Sequence, residues 1–536
     1  MSTTVAIVAF NKSIAVEVGE KALHAWEPRK YPLSPQQQAV ADWALTGSGH
    51  GLVIAKPGSG KTSLLIGLLP FIADNPQDVN TATMHSVGFA AWRQANKGRK
   101  IQVESRKVRN IVDTLAVEEN DPRYTASWAF LCKLVSIAKA NGFGMHNFPS
   151  IEDKAAWEEL IDNYSLDTDL DNGTNSEELV SKSIRVYRES LKQCRDVVDF
   201  DDMILAPLYN QVRIPTYDWV LVDEAQDLSH VRQQLVIKML ASNSRMVAVG
   251  DPLQAIYSFT GSNPQSMDLL EEELPGEVTR LPLSVTFRVP RTGVELAKQY
   301  APDFEACEWA EEGKISTAYL SPKDGQSPDF WSLGPFTPDD AILCRVNRPL
   351  VELAYAFLKR RIPAYIEGRE IGAGLIRLAQ KWKIKGLDVL VKRLEDYRDS
   401  ETTRLMQKKM EAKAEEVNDK IDTLMVLIDA TRSQGGSSVF DLVSLIQNMF
   451  GDTEDGRRPR AIVLSSVHKF KGREADRVFI LGRSRYMPSR YSQRRGAKDW
   501  EIEGEKCVIF VALTRHKKEL VDIIVPDDEG GRKWKR

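Results

Sequence analysis

The sequence predicts an α/β protein built on parallel sheets, and three stretches predict it. Residues 51–69, "GLVIAKPGSGKTSLLIGLL", run from a short apolar strand through a glycine-rich turn into a helix. Residues 217–236, "YDWVLVDEAQDLSHVRQQLV", carry four apolar residues into the pair Asp223-Glu224. Residues 246–262, "MVAVGDPLQAIYSFTGS", end a third apolar run at Gly250-Asp251. Continuous apolar runs, rather than strict alternation, are what strands covered on both faces require.

Length and composition set the frame. A chain of 536 residues, at roughly 150 residues per domain, makes room for three or four domains. Hydrophobic residues are 42% and charged residues 27% of the chain, the balance of a soluble globular protein. No apolar run approaches the roughly 18 residues of a membrane span, so no membrane partner is expected. The net charge is −3, so a nucleic-acid partner requires locally concentrated positive charge. The five cysteines form no Cys-x-x-Cys pair, which speaks against zinc and disulfide frameworks and for a reducing compartment. The first residues hold neither a basic leader nor a small-residue cleavage site. A cytoplasmic location is expected.

The first stretch is a phosphate-binding loop. Pro57, Gly58, Ser59 and Gly60 let backbone N–H groups close around phosphates, and the helix that opens at Lys61-Thr62-Ser63 adds its dipole. Lys61 is placed for the β- and γ-phosphates, and the Thr62 hydroxyl for Mg²⁺. Ala55 stands where such loops usually begin with glycine. In the second stretch, a carboxylate closing a buried strand suits the metal and the next one suits an attacking water. Asp223 is assigned to Mg²⁺ and Glu224 to general base. ATP and Mg²⁺ are the expected cofactors.

With "VDEAQD", the third stretch resembles the UvrD/Rep/PcrA-type helicases of superfamily 1, and further motifs follow. "LSPQQQAV" (33–40) is similar to the Q motif, "TATMHSVGFAAW" (81–92) to motif Ib, and "DFDDMI" (199–204) to the segment before the acidic pair. "LSVTFRVPR" (283–291) resembles motif IV, "VLSSVHKFKGREADRVFIL" (463–481) motif V, and "EKCVIFVALTRHKKEL" (505–520) motif VI. The resemblance implies two RecA-like P-loop NTPase motor domains with parallel sheets, each carrying a mostly helical accessory insertion. Residues 1–92 and 196–280 form the first motor domain and 93–195 its insertion; residues 281–370 and 456–536 form the second and 371–455 its smaller insertion.

It also implies roles. Gln37 and Phe287 contact adenine and Glu474 the ribose. Gln254, Arg288 and Arg515 attend the γ-phosphate. Thr83, His85, His468 and Lys469 contact DNA, and Tyr257 and Phe259 offer base-stacking faces, with Thr260 in place of the family's arginine. The implied activity is ATP-dependent 3′→5′ translocation on single-stranded DNA and unwinding of tailed duplex, by a monomer or weakly self-associating protein. Two other readings are a translocase that strips proteins with little unwinding, and an ATP-switched sensor subunit of a larger assembly.

Three further stretches carry expectations. The run 92–110 holds Arg93, Lys97, Arg99, Lys100, Arg106, Lys107 and Arg109, a candidate phosphate-contacting surface. Asp167, Asp169, Asp171 and Glu178 are spaced as in a calcium loop, but Asn172 stands where such loops need glycine, so a polar loop is expected. "TTVAIVAFNKSIAVEVGEKAL" (3–23) reads as a strand, a turn and a helix. Relatives hold such a unit, motif Ia, between the phosphate-loop helix and motif Ib, where this chain has only "ADNPQDVNTA". The strand at 5–9 is therefore expected in the first sheet, parallel to 52–55 and 219–222 and beside the latter, with Asn11 and Lys12 at its DNA-contacting edge.

Overall fold

The computed structural model describes residues 3–9, 12–25, 32–97, 99–164, 166, 176–256, 265–321, 328–407, 411–450, 461–489, 491–493 and 497–525. The chain divides into two units, Met1–Thr286 and Phe287–Arg536.

The first unit is built on six strands: β1 (Val5–Ala9), β2 (His50–Ala55), β3 (Val79–Thr83), β4 (Tyr217–Val222), β5 (Leu240–Gly250) and β6 (Val278–Leu283). Their spatial order is β3-β1-β4-β5-β2-β6, and the strands pair in parallel. All five residues of β1 are buried. Alternate side chains go to opposite faces. Val5 and Ile7 join Leu64, Leu65 and Leu68 of the phosphate-loop helix, while Ala6 and Val8 join Met84, Val87, Val220 and Val222. The N-terminal strand thus lies in the interior of the sheet, parallel to β4 and next to it (Val5↔Trp219 to Val8↔Val222), as expected. The helix that follows, Lys12–Leu23, approaches β3 so closely that a Cβ on Gly19 would meet Thr81 Oγ1 at 2.8 Å.

β6 keeps Leu281 and Leu283 paired with Val53 and Ala55, so the division between units falls after Thr286, where the sequence places it at 281.

Helices Lys107–Glu118, Trp128–Ala140, Lys154–Asn163 and Ser176–Gln193 fill the stretch before "DFDDMI". A buried ion network ties them to it. Lys107 Nζ donates to Asp202 Oδ2 at 2.6 Å and to Ser190 O at 2.7 Å. Lys139 Nζ bonds Asp199 Oδ2 at 2.6 Å and lies 2.7 Å from Asp202 Oδ1. This corrects the expectation for one member of the basic run: Lys107 is buried and committed to Asp202, so it is not the open cation that a phosphate contact needs. Arg109 pairs with Asp113 and lies over Trp128. Of the calcium-loop positions, Asp167, Asp169 and Asp171 lie outside the described residues, and Glu178 pairs with Arg123 at 2.8 Å.

The second unit repeats the plan. Strands β7 (Lys314–Tyr319), β8 (Asp340–Cys344), β9 (Ala364–Ile366), β10 (Ile462–Ser466), β11 (Ala475–Leu481) and β12 (His516–Ile524) lie in the order β7-β12-β11-β8-β10-β9, paired in parallel. Between β9 and β10 come helices Arg369–Gln380, Leu387–Gln407, Glu411–Ser433 and Val439–Met449. Leu390, Leu394, Leu424, Ile428 and Ile446 from these helices share one core with Phe357 and Ile366. Among the described residues, no helix is long and apolar enough to cross a membrane.

Candidate nucleotide and nucleic-acid site

In the first unit the chemistry collects at the C-terminal ends of the parallel strands, where open α/β sheets bind ligands. After β2, Gly58 (φ +75°) and Gly60 (φ +81°) take the left-handed conformation that turns the loop onto helix Lys61–Ile72. Ser59 Oγ is buried and has no hydrogen-bond partner among the described residues. Such a group inside a loop of this shape fits an oxygen-rich ligand.

Lys61 Nζ lies 3.1 Å from Glu224 Oε2, and Thr62 Oγ1 donates to Asp223 Oδ2 at 3.0 Å. Burial opposes the charge on Lys61, but the carboxylates of Glu224, Asp223 and Asp251 outweigh it and raise its pKa. Burial, then the neighbouring Glu224 charge, push Asp223 up to about 6. A hydroxyl and a buried carboxylate facing each other are hard oxygen donors, the set that Mg²⁺ takes together with phosphate oxygens and water. The residues present fit that ion.

Glu224 has φ +53°, the left-handed region in which non-glycine residues are uncommon and which marks functional sites when strand ends impose it. Its carboxylate accepts from Gln226 Nε2. Gln226 Oε1 in turn accepts from the Asp251 N–H at 3.0 Å, and Asp251 Oδ2 accepts from Gln254 Nε2 at 2.7 Å. One chain of hydrogen bonds therefore runs from Lys61 through Glu224, Gln226 and Asp251 to Gln254. Gln226 and Asp251 were not among the expected site residues, although both stand inside the motif stretches that pointed to their neighbours.

Gln37 lies against the phosphate loop. Its Nε2 donates to Ser59 O at 3.3 Å, and its Oε1 accepts from the Ser34 N–H at 3.1 Å as part of a helix capping box. Both ends of the amide are engaged with the protein, and Oε1 keeps a second lone pair.

Of the residues expected on DNA, Thr83 ends β3 and caps helix Met84–Ala95, its Oγ1 accepting from the Ser86 N–H at 3.1 Å. Ala9 stands in register with Thr83, so the end of β1 lies beside motif Ib. Burial, with Arg232 nearby, pushes His85 down to about 4, which leaves a neutral imidazole at neutral pH. The ring of Phe200 meets it edge-on at 6.0 Å and is 56% exposed. This aromatic inside "DFDDMI" was not singled out from sequence; its exposure beside His85 is the signal. Asn11, Tyr257 and Phe259 lie outside the described residues. Of Lys12, only the backbone at the start of its helix lies within them.

In the second unit three expected residues come together. Arg288 Nη2 donates to Thr514 O at 3.0 Å, and its Nη1 lies 3.5 Å from Glu474 Oε2. Arg515 is almost fully buried and turns back on its own helix end, Nε to Val511 O at 2.9 Å and Nη2 to Thr514 Oγ1 at 3.0 Å. Phe287, next to Arg288, stacks on Trp309 with centroids 6.0 Å apart and planes at 22°. His468 and Lys469 follow β10, where the Lys469 N–H donates to Ser466 Oγ at 3.4 Å. Burial, with Arg345 and Lys471 adding, pushes His468 down to about 3, and burial lowers Lys469.

Two family models match the chain. The UvrD/REP helicase N-terminal domain matches residues 70–275, and the UvrD-like helicase C-terminal domain matches residues 377–525. The chain is 36% identical to the ATP-dependent DNA helicase Rep of Escherichia coli (strain K12) over 103 residues, 17% of this chain and 14% of that protein. It is 23% identical to the ATP-dependent DNA helicase UvrD2 of Mycobacterium tuberculosis (strain ATCC 25618 / H37Rv) over 377 residues, 62% of this chain and 52% of that one. To the ATP-dependent DNA helicase PcrA of Staphylococcus epidermidis it is 25% identical over 280 residues, 45% and 36% of the two. The matched stretches span about half or less of these relatives' length. With both domain models matched in order on two parallel-sheet units, the chain belongs to the UvrD/Rep/PcrA-type helicases of superfamily 1.

Proposed function

We propose that this protein is an ATP-dependent DNA helicase that moves 3′→5′ on single-stranded DNA and unwinds duplex. The observation that carries the reading is the hydrogen-bonded set Lys61–Glu224–Gln226–Asp251–Gln254, with Thr62 on Asp223, at the strand ends of the first unit. Phosphoryl transfer is catalysed mainly by positioning and charge neutralisation, and this set supplies both. Lys61 neutralises phosphate charge. Glu224 accepts the proton of the attacking water, and its strained backbone and the Gln226 amide hold its carboxylate in place. Gln254 senses the γ-phosphate and passes its state to Glu224 through Asp251 and Gln226. Thr62 and Asp223 would hold Mg²⁺, which adds charge stabilisation of the phosphates. Arg288 and Arg515 serve the γ-phosphate, and Glu474 the ribose; Arg515 must first leave the bonds that hold it on Val511 and Thr514.

DNA as substrate is supported by the names of the relatives and by the row of groups at the strand ends: Thr83, His85 and the exposed Phe200 ring. Such a ring takes bases without regard to sequence. We also read residues 5–23 as motif Ia displaced in sequence but kept in space. Its support is the interior seat of β1 beside Thr83 and Asp223.

The test is strand displacement on 3′-tailed and 5′-tailed duplexes, with and without ATP. Unwinding of the 3′-tailed duplex alone, dependent on ATP, is expected. Streptavidin displacement without unwinding would instead indicate a translocase. DNA-stimulated turnover too weak for either would indicate a sensor subunit.

A further inference from the structure

Phe287 and Trp309 are both exposed, 39% and 75%, and stacked. The loop that carries Trp309 is fastened to the segment just after Phe287. Arg291 Nε donates to Ala310 O at 3.0 Å. The N–H groups of Arg291 and Thr292 donate to Glu311 O and Glu312 O, each at 3.0 Å, and the Ala310 N–H donates to Cys307 O at 3.0 Å. Gly313, at φ +76°, closes the loop so tightly that a Cβ there would meet Pro290 Cβ at 2.5 Å. The indole is therefore an exposed ring on a fixed backbone, and what it touches is the face of Phe287.

We propose that Trp309 is a positioning residue of the nucleobase site. It backs the Phe287 ring and holds it at the angle at which a purine stacks on the ring's remaining surface. This rests on the reading that Phe287 takes the base. Two considerations carry it. A phenyl ring exposed alone turns about its side-chain bonds, whereas one stacked on a second fixed ring is held in orientation, so a base meets a preformed surface. The pair also stands next to Arg288, which bonds Thr514 and faces Glu474, so base, ribose and phosphate contacts follow one another along a single edge of the second unit.

The test is calorimetric titration of the full chain with ADP and, separately, with inorganic tripolyphosphate, which has phosphates but no base. Trp309→Ala should weaken ADP binding roughly tenfold, toward the lower end of what base–aromatic stacking spans, and leave tripolyphosphate binding unchanged. Trp309→Phe should restore ADP binding to within about twofold. Phe287→Ala should weaken ADP more, and the double variant no more than Phe287→Ala alone, because Trp309 acts through Phe287. If Phe287→Ala weakens ADP and Trp309→Ala does not, the role of Trp309 is wrong while the base assignment stands. If neither weakens ADP, the base assignment itself fails. Equal loss for ADP and tripolyphosphate in Trp309→Ala would mean a general distortion and would overturn the proposal.

Discussion

The backbone N–H of Asp223 donates to the carbonyl of Val8 at 3.1 Å. The residue assigned to the metal is thus held by a strand more than 200 residues earlier in the chain. Thr4 reinforces the seat, since its N–H and hydroxyl each donate to Asp218 Oδ2 at 2.8 Å. An interior strand cannot be removed without exposing two hydrophobic faces and the ladders of its neighbours. Deletion of residues 1–25 should therefore leave the first unit unfolded, read as loss of its cooperative unfolding transition and of ATP binding. A deletion variant that still binds ATP like the parent would show that β1 is dispensable to the site.

Glu224→Gln should keep ATP and DNA binding and reduce hydrolysis by about 100-fold or more, on the order of 3 kcal/mol of barrier. Lys61→Ala should weaken ATP binding itself. Single-turnover hydrolysis beside equilibrium binding separates the two, and turnover of Glu224→Gln within tenfold of the parent would be incompatible with its role as base.

Gln226→Leu removes the bond to Glu224 and the link to Asp251 together. kcat should fall about tenfold, with the KM for ATP little changed, since every group assigned to the nucleotide stays in place. A rise in KM with kcat intact would place Gln226 in binding rather than in the relay.

The two halves of the basic run should behave differently. Lys107→Met leaves Asp202, fully buried, with one ammonium fewer, and breaking such a pair costs about 3–5 kcal/mol. The loss should appear as a lower urea midpoint. Replacing Lys97 and Lys100 by Ala should leave that midpoint in place and weaken single-strand binding. It should also flatten the salt dependence of binding, by up to about one unit of slope for each phosphate that is no longer neutralised. Unchanged salt dependence would exclude this surface from the DNA path.

Burial lowers His85 and His516 to about 4 and His468 to about 3. Unfolded imidazole protonates near 6.5, so between that value and about 4 the unfolded chain binds more protons than the folded one. Stability contributed by the neutral rings is full above pH 6.5 and falls as the pH drops through this window. At pH 5 each ring accounts for up to about 2 kcal/mol by this linkage. The drop in urea midpoint from pH 7 to pH 5 should be smaller in His516→Gln than in the parent, and an equal drop would refute the assignment.

By itself the sequence determined the parts whose chemistry is contiguous. The phosphate loop, the Asp223-Glu224 pair and the strand class of β1 all rest on short runs in which neighbouring residues form one strand, one turn or one helix start, while the placement of β1 came from the resemblance to relatives that hold motif Ia elsewhere. Local sterics and burial pattern act within such runs, so they were legible. The tertiary structure decided what depends on distant partners. Lys107 read as one cation of a solvated run until Asp202, 95 positions later, met it at 2.6 Å inside the core. Gln226 lies in the turn after β4 and Asp251 just past the end of β5, and the parallel pairing of β4 with β5 brings them into hydrogen-bond range. Trp309 had no motif around it and became visible only through its stack on Phe287. The reason is common to all three. A residue type states which bonds a side chain can make, whereas burial and partner are set by the chain's long-range return, which local periodicity does not encode.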